Sequence, residues 1–423
     1  MRSKLTGLWQ HDDFLRLWSG QTISVFGSMI GGTALDFTAI LVLGATPVQL
    51  GVLNAMRLVP GLLAGLFAGA WVDRLHRRPL LIWADVGRAL VLASLPLAAL
   101  LGALHIAQVY VVALLISILS VFFDVAYQAY LPALVGKHEL VEGNSKLSAS
   151  AAVAEFGGFS VAGALVQALT APMAILIDAA SFVVSAVTLG MIRTPEAAII
   201  PAAEAGEPNL YNEIGEGLKT VWGHPLLRAS AAVELLHNLG GGVFAALVVL
   251  YMSRGLGFNP AVLTPIWAVG GIASFAGAAL APRLSTRWGA GLAMAVGLGV
   301  AGLSGLFIPL ASGATLLSGV CLAIAQLGDG FFTVYQINVV SLWQSITHER
   351  LLGRVNATMK FIALAATLAG SLLGGVLGQA VGVRSTLAGA VACTLAAAVL
   401  LGLSPVRKWS ANSKTPPGNQ FPG

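Results

Sequence analysis

The sequence predicts an all-α membrane protein whose twelve transmembrane helices form two pseudo-symmetric six-helix bundles. Three observations carry that expectation. Hydrophobic residues make up 57% of the chain and charged residues only 10%, against about 45–50% and 25% in a soluble domain, and the mean hydropathy is +0.84. Apolar runs of about 20 residues, each able to cross ~30 Å of hydrocarbon as a helix, recur along nearly the whole length. The alternating segments of roughly ten residues that a closed β-barrel needs are absent. Finally, a stretch rich in Pro, Ala and Glu divides the runs into two sets of six.

Taken in order, the first six spans are expected at 15–43, 49–71, 80–102, 108–133, 146–168 and 172–192. The start, MRSKLTGLWQHDDF, has no signal-peptide core or small-residue cleavage site, so the first span is expected to stay in the protein. The second six are expected at 226–250, 260–281, 289–309, 314–341, 355–380 and 384–403. These ranges define an N-terminal bundle at 1–193, a cytoplasmic linker at 194–224, a C-terminal bundle at 225–404 and a disordered tail at 405–423. Within the linker, Leu210, Ile214, Leu218 and Val221 recur at helical spacing, which predicts a short amphipathic helix on the membrane surface. The 50 glycines suit close approach of helix backbones in a membrane. Cys321 and Cys393 lie inside apolar runs without metal-ligand spacing, so neither a disulfide framework nor a zinc site is implied.

Cationic residues set the expected orientation. With both termini inside, the cytoplasmic segments collect the basic residues from Arg2 and Lys4 through to Arg407, Lys408 and Lys414, while the outer loops hold Arg254 and Arg384. The net charge of +5 therefore speaks of membrane orientation and gives no argument for nucleic acid. A trace of internal repetition survives: GLLAGLFAGAWVDRLHRR ends the second span and GIASFAGAALAPRLSTRWG the eighth. Gly69 matches Gly277, but Asp73 falls opposite Ala281. Two such halves suggest parallel repeats.

The densest charge lies between spans two and three, where Gly69-x-x-x-Asp73-Arg74-x-x-Arg77-Arg78 stands among long apolar runs. This pattern resembles the signature loop of the major facilitator superfamily. The likeness extends over almost the entire chain. FLRLWSGQTISVFGS (14–28), FFDVAYQAYLPALV (122–135), LVEGNSKLSAS (140–150), DAASFVVSA (178–186) and LLGRVNAT (351–358) resemble the branch that holds macrolide-efflux proteins and the enterobactin exporter. Arginines at a helix C-terminus are favourable, and membrane anchoring alone would account for Arg74, Arg77 and Arg78. An aspartate there opposes the helix dipole. The resemblance implies that Asp73 docks instead at the start of span eleven, near Gly353 and Arg354, while Arg77 reaches Asp124, latching the cytoplasmic side. Many exporters of this superfamily carry a Gly-Pro pair in span five; here Gly157-Gly158 stands in its place, which weakens an inference of antiport from that motif.

Ionisable residues inside spans are costly and so mark candidate sites. Asp36, Asp85, Asp124, Glu155, Asp178, Glu234 and Asp329 qualify, with Arg57, Arg88, His237 and Lys360 as potential partners. The resemblance implies that spans one, four, seven and ten line a central cavity, and these carry Asp36, Asp124, Glu234 and Asp329. Asp36 and Arg57 differ in estimated depth by only ~3 Å, which allows a structural ion pair. Glu234, His237 and Asn238 share one helical face in ELLHN and are candidates for proton or substrate handling, with a structural donor role for His237 as the alternative. Asp329 is a comparable candidate. Asp85 and Arg88, one turn apart, suggest a structural charge network, and Asp178 suggests helix packing.

No Walker loop, HExxH or CxxC occurs, which argues against ATP hydrolysis by this chain. The resemblance implies a secondary transporter without a cofactor, working by alternating access as a monomer in a bacterial-type inner membrane. It further implies proton-coupled export of an amphipathic small molecule, drug- or siderophore-like. Phe37, Phe123, Tyr127, Phe244, Phe331 and Tyr335 are candidates to line its cavity. The alternatives are an uncoupled facilitator or lipid carrier on the same fold and, more remotely, a non-transporting membrane sensor.

Overall fold

In lipid every backbone polar group must be satisfied internally, which leaves the helix as the only solution for isolated apolar runs. The computed structural model describes residues 7–64, 75–196 and 210–409. These form α1 (Asp12–Phe37), α2 (Pro47–Ala64), α3 (Arg77–Leu100), α4 (Ile106–Val135), α5 (Leu140–Leu169) and α6 (Ala171–Gly190), followed by α7 (Leu210–Gly223) in the linker. The remainder comprises α8 (Pro225–Leu250), α9 (Pro260–Trp288), α10 (Ala290–Gly305), the single turn α11 (Phe307–Leu310), α12 (Leu316–Ile346), α13 (Glu349–Ala380) and α14 (Val383–Leu403). Among the described residues, ten helices are long and apolar enough to cross a membrane. The described part of the second span is α2. The fifth is α5, whose first two turns carry Glu142, Asn144 and Lys146 and so dilute its apolar character.

The chain divides into two compact units, Met1–Ala205 with Asn259–Pro265, and Gly206–Phe258 with Ile266–Gly423. In the first, α1 packs on α5 and α6, α3 packs on α4 and α6, and α2 packs on α4. In the second, α8 packs on α13 and α14, and α10 packs on α12 and α14. The same pairing scheme thus recurs. So does a local irregularity: α1 and α8 each span 26 residues and run on into five-residue π-helical segments, Thr38–Val42 and Tyr251–Gly255. Both segments close alike. Leu43 N–H donates to Thr38 O and Ala45 N–H to Ala39 O; Leu256 N–H donates to Tyr251 O and Phe258 N–H to Met252 O. This backbone repetition survives where side-chain identity has been lost.

Small residues set the helix spacing. A Cβ on Gly242 of α8 would stand 2.1 Å from Thr367 O of α13, so only glycine allows that approach. The core of the second unit includes Leu227, Val233, Met294, Leu342, Val355 and Met359, with Val221 of α7 among them. Val221 is fully buried. The side of α7 that carries Val221 packs against α13 and α8. Leu218 and Trp222 remain exposed. Leu210 and Ile214 lie where side chains are not described.

Acids close the helix ends of the first unit. Asp13 accepts from the main-chain N–H of Thr194 at 2.8 Å and from its hydroxyl at 2.6 Å, which ties the end of α6 to the start of α1. Glu196 accepts from the N–H groups of Arg77 (2.8 Å) and Arg78 (3.2 Å), the orphan donors at the start of α3. Glu142 takes the Leu8 N–H at 3.1 Å and Lys146 Nζ at 2.6 Å. The Lys146 ammonium and then the Leu8 N–H hold the Glu142 carboxyl below the usual carboxylate range.

Candidate functional site

The helical spacing of Glu234, His237 and Asn238 places three polar groups on one side of α8, and the second unit packs three further helices against them. Glu234 is 8% exposed. Its Oε1 accepts the Tyr335 hydroxyl of α12 at 2.7 Å and its Oε2 accepts Asn238 Nδ2 at 2.8 Å. Asn238 Nδ2 also donates to Glu234 O at 2.8 Å, and its Oδ1 receives the Thr367 hydroxyl of α13 at 3.5 Å. His237 Nδ1 lies 3.4 Å from Thr394 Oγ1 of α14. Its ring stands 4.7 Å from Phe332, which stacks on Tyr335 at 5.9 Å. Both carboxylate oxygens are therefore held by neutral donors, on a helix buried within a transmembrane unit. Such an acid is able to bind and release a proton without first breaking an ion pair.

Tyr335 is the member that sequence reasoning left unassigned as a partner. It sits on span ten, 101 residues from Glu234, and only its mid-span position on a helix expected to face the cavity pointed to it. Asp329 stands apart from the cluster, six residues and about 9 Å of helix rise before Tyr335. Its Oδ2 packs against Gly270 of α9, where a Cβ would come within 2.4 Å. In the first unit Asp36 and Arg57 are 2.8 Å apart, both about 28–29% exposed. Arg57 Nη2 also points at Gly32 O, 3.4 Å away. Of the aromatic residues expected at a cavity, Phe37, Phe123 and Tyr335 are instead almost wholly buried, because each fills the packed interior of its own unit.

Helix packing and buried acids do not by themselves name an activity, and sequence comparison supplies the family. The family model described as Major Facilitator Superfamily matches residues 17–363. The chain belongs to the major facilitator superfamily. It is a multi-span membrane transporter of small molecules. Among its relatives, the multidrug efflux pump Tap of Mycolicibacterium fortuitum is 26% identical over 382 residues, 87% of either chain. Macrolide efflux protein A of Streptococcus pyogenes is 25% identical over 205 residues, covering 48% of this chain and 50% of that one. The fold resembles that of the nucleoside transporter NupG (TM-score 0.73, 13% identity, 92% of this chain and 98% of that one). It also resembles a bacterial homologue of the iron transporter ferroportin (TM-score 0.70, 19% identity, 92% and 98%).

The superfamily's signature loop falls largely outside the described residues, which exclude Gly69, Asp73 and Arg74. The part that is described has particular partners. Arg78 Nε donates to Leu189 O at 3.0 Å and Nη2 to Gly190 O at 2.6 Å, capping the C-terminus of α6 with a cation. Arg77 presents its main chain to Glu196. Asp124 lies mid-way along α4, where its charge acts on Arg88. Span eleven corrects the expected start at 355: α13 begins at Glu349, with the His348 side chain accepting the Arg350 N–H. Gly353 and Arg354 consequently lie in the second turn of the helix. Apolar-run counting missed the earlier turns because they are polar. Arg354 pairs with Glu216 of α7, and Arg350 joins the same carboxylate at 3.3 Å. No sequence signal linked Glu216 to residues more than 130 positions away.

Proposed function

We propose that the chain is a proton-coupled exporter of amphipathic small molecules, drug- or siderophore-like, working by alternating access as a monomer with both termini in the cytoplasm. The observation that carries the reading is the buried Glu234 carboxyl, whose partners among the described residues are the neutral donors Tyr335 and Asn238. An ionised carboxylate at mid-membrane is costly, by roughly 2.5–3.5 kcal/mol on insertion scales, and a proton removes that cost. Loading Glu234 with a proton in one state and releasing it in the other would supply the coupling, with His237 lending a second polar contact at the same level. The efflux assignments of Tap and of macrolide efflux protein A support export. On this reading Glu216–Arg354 and the signature-loop residues Asp73, Arg74, Arg77 and Arg78 serve closure of the arginine-rich face.

The test is flux of ethidium, as an amphipathic probe, into proteoliposomes under an imposed proton gradient. Uphill accumulation that collapses when the gradient is dissipated supports the reading. Equal flux with and without the gradient makes the protein an uncoupled facilitator.

A further inference from the structure

The first unit holds a second set of buried charges that the Glu234 site does not use. Asp85 and Arg88 of α3 are ion-paired side chains, 0% and 7% exposed. The guanidinium of Arg88 lies 4.2 Å from the ring centres of Phe123 and of Phe182, one on α4 and one on α6. Asp178 of α6 is a further buried acid, 5% exposed. Its Oδ1 takes the Ser28 hydroxyl at 3.1 Å and the Ser181 hydroxyl at 3.4 Å. Its Oδ2 fills the space that a side chain at Gly31 of α1 would need, a built Cβ there lying 2.1 Å away. Arg88 lies within the electrostatic reach of Asp85, Asp124 and Asp178.

Two buried carboxyls thus share one buried guanidinium. With all three ionised this buried trio carries a net negative charge inside a membrane unit, which is costly, and Asp124 on the exposed side of α4 adds a further negative charge within reach of Arg88. One proton makes the buried trio neutral. Among the described residues, the groups facing Asp178 include no cation besides Arg88. From α3 the facing group is Arg88, which is paired with Asp85. From α1 Asp178 meets Ser28 and Gly31, while Asp13 and Arg16 of that helix are engaged at its far end and Asp36 pairs with Arg57. On α5 the described ionisable side chains Glu142 and Lys146 hold each other, and the π-helical segment Thr38–Val42 carries no ionisable residue.

A second observation concerns the polar atoms beside this cluster. Buried polar atoms in proteins are nearly always hydrogen-bonded. Here Asp85 Oδ2, Arg88 Nε and the hydroxyls of Tyr127 and Tyr130 are buried without a hydrogen-bond partner. All four lie on α3 and α4, between Arg88 and the end of α4 that carries Tyr130. Buried polar atoms of this kind suit water molecules as partners.

We propose that Asp85, Arg88 and Asp178 form a proton-binding site in the N-terminal unit: one proton rests on Asp178 while Arg88 pairs with Asp85, and it leaves when Arg88 turns to Asp178. In that step the Asp178 O–H bond breaks, its electron pair stays on the carboxylate and the proton passes to water, Arg88 supplies the counter-charge to Asp178, and Asp85, left without Arg88, takes a proton from water on the Tyr127–Tyr130 side. The total charge of the site is unchanged. The site deepens the proton-coupled reading above and rests on it only for its consequence in transport.

Infrared difference spectroscopy of the full-length protein in liposomes reads the carbonyl stretch of protonated carboxyls and needs no substrate. At neutral pH, Asp178→Asn is expected to remove one such band, distinct from the band that Glu234→Gln removes. Asp85→Asn leaves Arg88 free to pair with Asp178 and is expected to abolish the same band. Arg88→Lys, which keeps the charge, is expected to retain it. An Asp178→Asn spectrum identical to wild type, or an Asp85→Asn protein that keeps the band, overturns the site. Ethidium flux separates the two claims: a wild type that shows no gradient-driven flux refutes the coupled-exporter reading while the infrared result still decides the site.

Discussion

Removing the Tyr335 hydroxyl puts the charge of Glu234 to a quantitative test. Tyr335→Phe deletes one 2.7 Å hydrogen bond to a carboxyl that is 8% exposed and leaves ring packing on Phe332 in place. If Glu234 carries a proton at rest, the lost bond is a neutral one, worth about 0.5–1.5 kcal/mol net, and such bonds within membrane units average about 0.6 kcal/mol. If Glu234 is permanently ionised, the bond is worth about 1.5–3 kcal/mol, and leaving the charge short of donors costs about 3–5 kcal/mol. A double-mutant cycle of Tyr335→Phe and Glu234→Gln, measured by reversible unfolding in bicelles at neutral pH, resolves the two. The account expects Tyr335→Phe to cost about 1 kcal/mol, Glu234→Gln to be nearly neutral because the Gln carbonyl oxygen still accepts the Tyr335 hydroxyl, and their coupling therefore to be close to zero. A coupling of about 3 kcal/mol would refute the idea of an exchangeable proton at this site and leave a fixed structural anion.

Three further outcomes follow from the packing and the helix ends. Val221→Ala, in the core of the second unit, should destabilise by about 2 kcal/mol, whereas Glu216→Gln, which breaks a partly exposed pair with Arg354, should cost less than about 1 kcal/mol and lose its effect at high salt; chemical unfolding reads both. Gly242→Val should cost at least about 1–3 kcal/mol because its Cβ meets Thr367 O, while Gly241→Ala, with nothing within 4 Å, should be neutral or slightly stabilising in the same assay. The Glu142 carboxyl is held below its ordinary value of 4.5, so its contribution is complete above that value and is lost as pH falls through the depressed one. Hydrogen exchange at the Leu8 amide should therefore quicken on acidification, and Glu142→Gln should remove that acid dependence.

Much of the fold was legible because hydrocarbon imposes one requirement, that each crossing be a long apolar helix, and composition records it directly. The limits appear where polar residues are helical for local reasons. α13 starts at Glu349 because His348 caps it, and no count of apolar residues reports a cap. Val221 showed helical spacing, but spacing alone does not say whether lipid or protein covers an apolar face. The Glu234 cluster was half legible: i, i+3 and i+4 gave Glu234, His237 and Asn238, while Tyr335, Thr367 and Thr394 come from three other helices. Asp178 presented in sequence only as a packing residue, since the feature that matters is its nearness to Arg88 of another helix. The matching π-helical segments after α1 and α8 are backbone features with no shared residues to betray them.

The central claim is that a proton on Glu234 drives movement of the solute. Its most direct measurement compares wild type with Glu234→Gln in proteoliposomes, reading ethidium accumulation under a proton gradient beside ethidium exchange at equal pH. The account predicts that the variant loses uphill accumulation and keeps exchange. A Glu234→Gln protein that still accumulates ethidium uphill at the wild-type level would contradict it.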